Sequence, residues 1–274
     1  MGSWTLDDIP WHRFEPDKVD PEIVRIIKAA SLVEHNGAAY AHHLCRIFSD
    51  DPEFQETARR WGEEEIQHGT ALARWAAIAD PAFDFAAAFA RFQEGFKIDF
   101  DAAESRRGSR SGEMIARCIV EIGTSSYYTA LKEAAAEPVL QEICRHIAAD
   151  ELRHYRLFYK NLQRYLERER IGRWARLKVA LGRVAESEDD ELAYAYYAAN
   201  EHERPYERRH YSRAYAGRAF RLYRPHHIER SVAMLFKAVG LTPNGRLGRI
   251  ASGIAWRAMR YRARRLAKAA AWGG

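Results

Sequence analysis

Six acidic and imidazole side chains are spaced through this chain as one pattern written twice. Glu34 precedes Glu65-Ile66-Gln67-His68 by 31 residues, and Glu121 precedes Glu151-Leu152-Arg153-His154 by 30. The copies are offset by 87 residues at the first glutamate and by 86 at the Glu-x-x-His. On an α-helix, residues three apart share a face, so each Glu-x-x-His offers a carboxylate and an imidazole to one ion. A four-helix bundle that holds two metals needs this set: a lone Glu from each of two helices and Glu-x-x-His from each of the other two. The pattern therefore predicts an all-α bundle with a metal pair on Glu34, Glu65, His68, Glu121, Glu151 and His154.

The residues between the ligands fit the same plan. Pro52 and Pro138 each stand 13 residues before their Glu-x-x-His, and proline suits the first turn of a helix. Glu34 to the turn at Ser49 is 15 residues, and Pro52 to Glu65 is 13. These are arms of ~22 Å out and ~20 Å back, which bring both glutamates to one level. Glu121, the turn at Ala136 and Pro138 repeat the arrangement. A lone Glu-x-x-His in a charged protein is ordinarily a solvated helix face. Here Glu34 sits among Ala30, Ala38 and Ala41, and Glu121 lies in the apolar run Cys118 to Thr124. A carboxylate buried there is costly unless paired or coordinated.

The 274-residue chain, 47% hydrophobic and 30% charged, is long enough to bury a substantial core. It has no run of 18 apolar residues, so no membrane-spanning helix is expected. The acidic, aromatic stretch from Met1 to Glu22 lacks the apolar segment of a secretory leader. Cys45, Cys118 and Cys144 have no metal-type spacing. They read as reduced thiols, and with the missing leader they predict a cytoplasmic protein. Rubredoxin-like Cys-x-x-Cys pairs are absent, so any electrons the chain uses are expected from a separate donor.

Charge is unevenly placed. Residues 1–160 hold 19 Lys and Arg against 27 Asp and Glu, and residues 161–274 hold 24 against 11. From Arg246 onward there are eight basic residues and no acid. Such a block suits an anionic partner: an acidic protein, a membrane surface or nucleic acid.

Nearly every long segment reads as helix, and strand signals are missing. Helices are expected over 21–48, 52–79, 111–135 and 138–168, with 81–96 crossing between the two hairpins and 106–112 as a loop. Residues 1–170 then form the dimetal bundle, and residues 171–274 a helical, basic extension packed on or beside it. Within the extension, 174–184, 225–239 and 247–271 read as helices, 186–191 as an acidic turn or cap, and 192–200 and 206–222 as aromatic, basic stretches interrupted by Pro205 and Pro225. The 247–271 helix is amphipathic, with Ile250, Ile254, Trp256, Met259 and Leu266 among Arg257, Arg260, Arg262, Arg264, Arg265 and Lys268. It fits either a membrane surface or a helix packed on the bundle. His226-His227-Ile228-Glu229 lies outside the repeat and reads as a surface or cap feature.

Metal-bound histidines commonly donate their other ring nitrogen to a carboxylate. Glu64 precedes Glu65 and Asp150 precedes Glu151. Two-fold pseudo-symmetry predicts Asp150 on His68 and Glu64 on His154. Trp61, one turn before Glu65, and Thr124, three residues after Glu121, project toward the ligand side. The threonine hydroxyl either relays a proton at the centre or bonds back to its own helix.

These residues resemble a family. Glu64-Glu65-Ile66-Gln67-His68-Gly69 and Ile147-Ala148-Ala149-Asp150-Glu151-Leu152-Arg153-His154 are similar to the motifs Glu-Glu-Asn-Arg-His-Gly and Ile-Ala-Ala-Asp-Glu-Lys-Arg-His of the soluble, ferritin-like acyl-(acyl carrier protein) desaturases. Glu121-x-x-Thr124 matches a third helix of that family, threonine included. The likeness spans residues 30–160 and does not extend to residues 172–274.

The resemblance implies a ferritin-like four-helix bundle and an oxygen-dependent di-iron oxidoreductase of fatty acid metabolism. Such an enzyme inserts a double bond or hydroxyl at an unactivated carbon. It further implies an acyl carrier protein as partner, an external donor such as ferredoxin, a homodimer, and Thr124 as a catalytic residue. Ala-rich surroundings of Glu34, with Phe83, Phe85, Phe89 and Phe92, can wall an acyl channel or simply form core. The six ligands equally suit manganese, because affinity alone does not choose the metal. They also suit a ferroxidase or peroxidase, another di-iron oxygenase, or a non-catalytic metal protein whose basic tail meets membrane or RNA.

Overall fold

A computed structural model describes residues 4–97, 104–186 and 190–272, with side chains as far as residue 267. The described residues are all-α and contain no strand. None of their helices is long and apolar enough to cross a membrane. Three single-turn 3-10 helices lead into α1 (Pro21–His35), α2 (Gly37–Ile47), α3 (Pro52–Ala79) and α4 (Phe85–Gly95). They are followed by α5 (Arg110–Ala134), α6 (Pro138–Glu169), α7 (Arg173–Ala185) and α8 (Asp190–Asn200). The chain closes with α9 (Arg208–Ala219), α10 (Pro225–Val239) and α11 (Arg246–Trp272).

The caps explain the boundaries. Asp20, Asp51 and Ser109 accept backbone N–H bonds at the starts of α1, α3 and α5, with Pro21 and Pro52 in the first turn of α1 and α3. Glu137 caps α6 by accepting from the N–H groups of Val139 and Leu140, and Pro138 follows it. Its carboxylate also accepts from Trp75 Nε1 at 2.7 Å, which ties the start of α6 to α3.

The expected helix over 21–48 is two helices. It breaks at Asn36 (φ −80°, ψ 10°), just beyond Glu34. Asn and Gly are poor helix formers, and the break at Asn36-Gly37 lets both pieces lie flush on α3. That approach leaves no room for side chains. A Cβ on Gly37 would stand 2.5 Å from Glu65 Cβ, one on Gly62 2.7 Å from Ala41 Cβ, and one on Gly69 2.3 Å from the His35 nitrogen. Glycine at these positions sets how closely Glu34 approaches Glu65 and His68.

The interior falls into two apolar clusters. One contains Ile27, Leu32, Leu72, Trp75, Leu131 and Ile143. The other contains Leu44, Phe54, Trp61, Cys118, Phe158 and Leu162. On α1, α3 and α6 the candidate ligands lie between the two, and on α5 Glu121 sits at the edge of the second, so a polar layer crosses an otherwise apolar core. The hairpins α1/α2–α3 and α5–α6 meet through α3 and α6.

α4 packs on α1 and α8, with Phe92 fully buried and Phe83 nearly so. Helices after α6 wrap the hairpins: α8 lies on α1, α7 and α10 on α5, and α11 on α10 and α9. Ala193 and Tyr196 of α8 belong to the first cluster, and Ala180 of α7 with Val239 of α10 to the second. Residues 187–189 of the expected acidic turn and the Lys268 side chain lie outside what the structure describes. All three cysteines are free thiols, with Cys118 and Cys144 buried.

Candidate dimetal centre

Glu34 stands in the last turn of α1, Glu65 and His68 in mid-α3, Glu121 in mid-α5, and Glu151 and His154 in mid-α6. All six are buried, none more than 6% exposed. They form two groups able to hold a metal ion: Glu34, Glu65, His68 and Glu151, and Glu65, Glu121, Glu151 and His154. Within each group the ligand atoms lie within 4.8 Å of one another. Glu65 and Glu151 belong to both. The layer thus has two positions, each with one private Glu and one private His, joined by two shared carboxylates.

The imidazoles mirror each other. His68 Nδ1 lies 3.3 Å from Glu151, 3.7 Å from Glu34 and 3.8 Å from Glu65. His154 Nδ1 lies 3.1 Å from Glu65, 3.7 Å from Glu121 and 3.9 Å from Glu151. Each opposite nitrogen meets an acid of the other hairpin. Asp150 Oδ2 is 3.2 Å from His68 Nε2, and Glu64 Oε2 is 2.6 Å from His154 Nε2. With Nε2–H donating to these acids, both Nδ1 lone pairs point into the layer. The crossed pairing expected from symmetry is the one the structure has.

Several neighbours escaped sequence reasoning. Trp4 donates from Nε1 to Asp150 Oδ2 at 2.7 Å, and its ring lies parallel to that of His68. Its carbonyl accepts from Gln67 Nε2 at 2.9 Å. Arg153 donates to both Asp150 and Glu64, bracing the two acids together. Tyr128, fully buried, donates to Glu34 Oε1 at 2.5 Å. Arg153 was visible inside its own Glu-x-x-His, and Tyr128 lies one turn after Thr124. Nothing local marks Trp4, which is 146 residues from its partner.

Thr124 and Trp61 both reach the layer. The Thr124 hydroxyl is 2.5 Å from Glu151 Oε2 and 3.3 Å from the carbonyls of Val120 and Glu121. Its single proton goes to Glu151, the nearest acceptor. Trp61 is buried and meets His154 edge-on, and its Nε1 has no partner among the described residues.

Buried polar atoms ordinarily find partners. Here Glu65 Oε1, His68 Nδ1, Glu121 Oε1, Glu151 Oε1 and His154 Nδ1 make no hydrogen bond among the described residues. These orphans are the atoms that converge on the two positions, so the residues fit a pair of cations. Four carboxylates with two neutral imidazoles balance two divalent ions, in the mixed nitrogen and oxygen donor set that iron and manganese accept.

Without metal the layer holds protons instead. Burial, then the Glu65 charge, pushes the Glu34 carboxyl well above its ordinary value. Burial, then Glu151 and Glu65, does the same to Glu121. Burial opposes the histidine charges, yet carboxylate partners outweigh it: His68 is raised well above its usual value, and His154 to about 9. Burial opposes the Glu65 charge, but the adjacent His154 and His68 outweigh it and lower its carboxyl well below the usual range.

Glu133, His226 and His227 form a third grouping of ligand-type side chains. His227 Nδ1 accepts from the Arg224 N–H at 2.9 Å, capping α10, while Nε2 faces Glu133 at 3.1 Å. A ring that accepts at Nδ1 carries its proton on Nε2, so His227 has no lone pair left for a metal. The His-His pair is a cap feature, as its place outside the repeat predicts.

Ala38 and Ala41 line a groove of about 490 Å³ between α2 and α3, with Cys45, Arg59, Gly62 and Ile66. Gly62 and Ile66 lie close to Glu65 on α3. The phenylalanines of the expected channel are not in its lining. Phe85 and Phe89 pack against His35 instead.

No protein-family model matches the chain, and no curated protein matches it.

Proposed function

We propose that the protein is an oxygen-dependent di-iron oxidase of ferritin-like architecture. It introduces a double bond or a hydroxyl at an unactivated carbon of an acyl chain. The observation that carries this reading is the pair of mirrored, buried groups sharing Glu65 and Glu151, with a hydroxyl, Thr124, on a shared carboxylate.

Bound iron would supply the redox chemistry with dioxygen. Glu34, His68, Glu121 and His154 would each hold one ion, and Glu65 and Glu151 would span both. Asp150 and Glu64 fix the imidazole tautomers, so both Nδ1 atoms stay available. Thr124 moves a proton to or from Glu151, and Tyr128 orients Glu34. The flanking apolar clusters exclude water from the layer. The α2–α3 groove, with Arg59 in its lining, suits the approach of an acyl chain carrying an anionic head. An acyl carrier protein as the substrate's bearer and a ferredoxin-type donor complete the reading.

The test is anaerobic reconstitution with Fe(II), followed by reductant, oxygen and a panel of acyl-carrier and acyl-coenzyme A thioesters read by mass. Loss of two hydrogens or gain of one oxygen is expected. Repeated ferrous oxidation with every thioester unchanged would replace this reading with a ferroxidase.

A further inference from the structure

We infer that the outer faces of α7 and α11 form a docking surface for an anionic phospholipid bilayer. α11 has apolar residues on two sides. Trp256, Met259, Ala263 and Leu266 are partly covered, with Gly248 and Ser252 buried in the same row, where the helix packs on α10 and α9. On the other side Leu247 is 70% exposed, Ile250 59%, Ile254 60% and Tyr261 61%. The spacing of three, four and seven residues makes these one stripe. From Leu247 to Tyr261 it runs ~21 Å along the helix. Ile250 and Ile254 therefore take no part in packing α11 onto the molecule.

α7 repeats the arrangement. Its Ala180 is buried, whereas Trp174 is 82% exposed and Leu181 55%. The first turns of both helices lie near the C-terminal end of α10. A Cβ on Gly240, at the C-terminus of α10, would meet Arg176 and Arg173 of α7. The first turn of α11 approaches Phe236 of α10 at Gly248. Trp174 and Leu247 thus sit in the terminal turns that converge there.

Charge selects the occupant. α7 carries Arg173, Arg176, Lys178 and Arg183, and α11 eight basic residues, with no acid on either helix. Arg257, Arg264 and Arg265 are exposed beside the apolar stripe, Arg265 over the Tyr261 ring. Exposed apolar side chains interleaved with arginine match an interface that offers anionic headgroups and an acyl boundary together. Tryptophan and tyrosine prefer that depth. An acidic protein would satisfy the arginines and leave a fully exposed indole and two isoleucines unexplained.

The full-length protein is titrated with phosphatidylcholine vesicles with and without phosphatidylglycerol, and bound protein is read by sedimentation. Binding that needs phosphatidylglycerol and weakens with salt is expected. Ile250→Ser with Ile254→Ser, which leaves every charge in place, should weaken it by about tenfold or more. An unchanged melting temperature shows that this variant folds. The blue shift of tryptophan fluorescence on binding should shrink in Trp174→Phe. Absence of vesicle binding at low salt would overturn the inference. So would equal binding by the serine variant, which reduces the surface to charge alone. Concentration-dependent dimerisation without lipid that the serine variant abolishes would give the face to a second copy instead.

Discussion

The two hairpins supply the same ligands by different means. In the first, the helix that carries Glu34 breaks at Asn36, and Gly37, Gly62 and Gly69 bring it against α3 with no side chains between. In the second, α5 runs unbroken past Glu121, and the positions matching Gly37 and Ala41 are Thr124 and Tyr128. Both of those hydroxyls bond to ligand carboxylates, Glu151 and Glu34. The layer of candidate ligands is therefore duplicated, and the hydroxyl contacts to it are one-sided. A repeated pattern preserves what coordination needs, and divergence between the copies shows where one copy does something more.

Replacement of the shared ligands breaks the symmetry most severely. Glu65→Ala or Glu151→Ala should remove both metals from the chain, because each side chain belongs to both positions. Glu34→Ala or Glu121→Ala should leave about one, since each belongs to one position. Metal analysis of the four variants reads this directly. Equal losses from shared and private ligands would dissolve the two-position description.

The acids behind the histidines come next. Asp150→Asn and Glu64→Gln should each lower metal affinity by ~10–100-fold. Asp150 is also held by Trp4 and Arg153, Glu64 by Arg153 alone, so Asp150→Asn should cost more. Competitive titration against a chelator measures the order. Wild-type affinity in both variants would make these acids ordinary surface charges.

Proton release tests whether the halves titrate alike. In each half the lone glutamate and the histidine bind their protons more tightly than usual, Glu34 and His68 on one side and Glu121 and His154 on the other. Metal binding must displace whatever protons these groups hold. Affinity should therefore rise with pH up to about 9, where His154 deprotonates unaided. The raised His154 value stabilises the metal-free protein fully below its ordinary value of 6.5, and that contribution is lost as pH rises through about 9. Metal should thus raise the melting temperature more at pH 8 than at pH 6. Calorimetry in buffers of different ionisation enthalpy counts the protons.

The smallest change in metal content isolates the one-sided hydroxyls. Thr124→Val should keep both metals and slow turnover by about a hundredfold, the lower end of the range for losing a proton-transfer group. Its counterpart, Gly37→Ala, should instead destabilise the fold by roughly 1–3 kcal/mol through overpacking against Glu65 and Gly62. Metal content, turnover and melting temperature together separate the two.

Sequence spacing carried much of this. The ligand layer, the all-helical class and the crossed acids were legible because helical periodicity fixes which residues share a level, and the doubled pattern supplies the symmetry. The break at Asn36 was not, because the α1–α3 distance that demands it is set by glycines on two different helices. Trp4 was not, because it acts across the whole bundle. The apolar residues of α11 were visible, but not their division between two faces. Amphipathic spacing marks which residues are apolar, and packing decides which of them stay exposed.

Six side chains on two hairpins should hold two metals per chain. Anaerobic reconstitution of the wild type with Fe(II), followed by desalting and elemental analysis, measures this. Two irons per chain are expected, falling below one in Glu151→Ala. One iron or none in the correctly folded wild type would contradict that expectation.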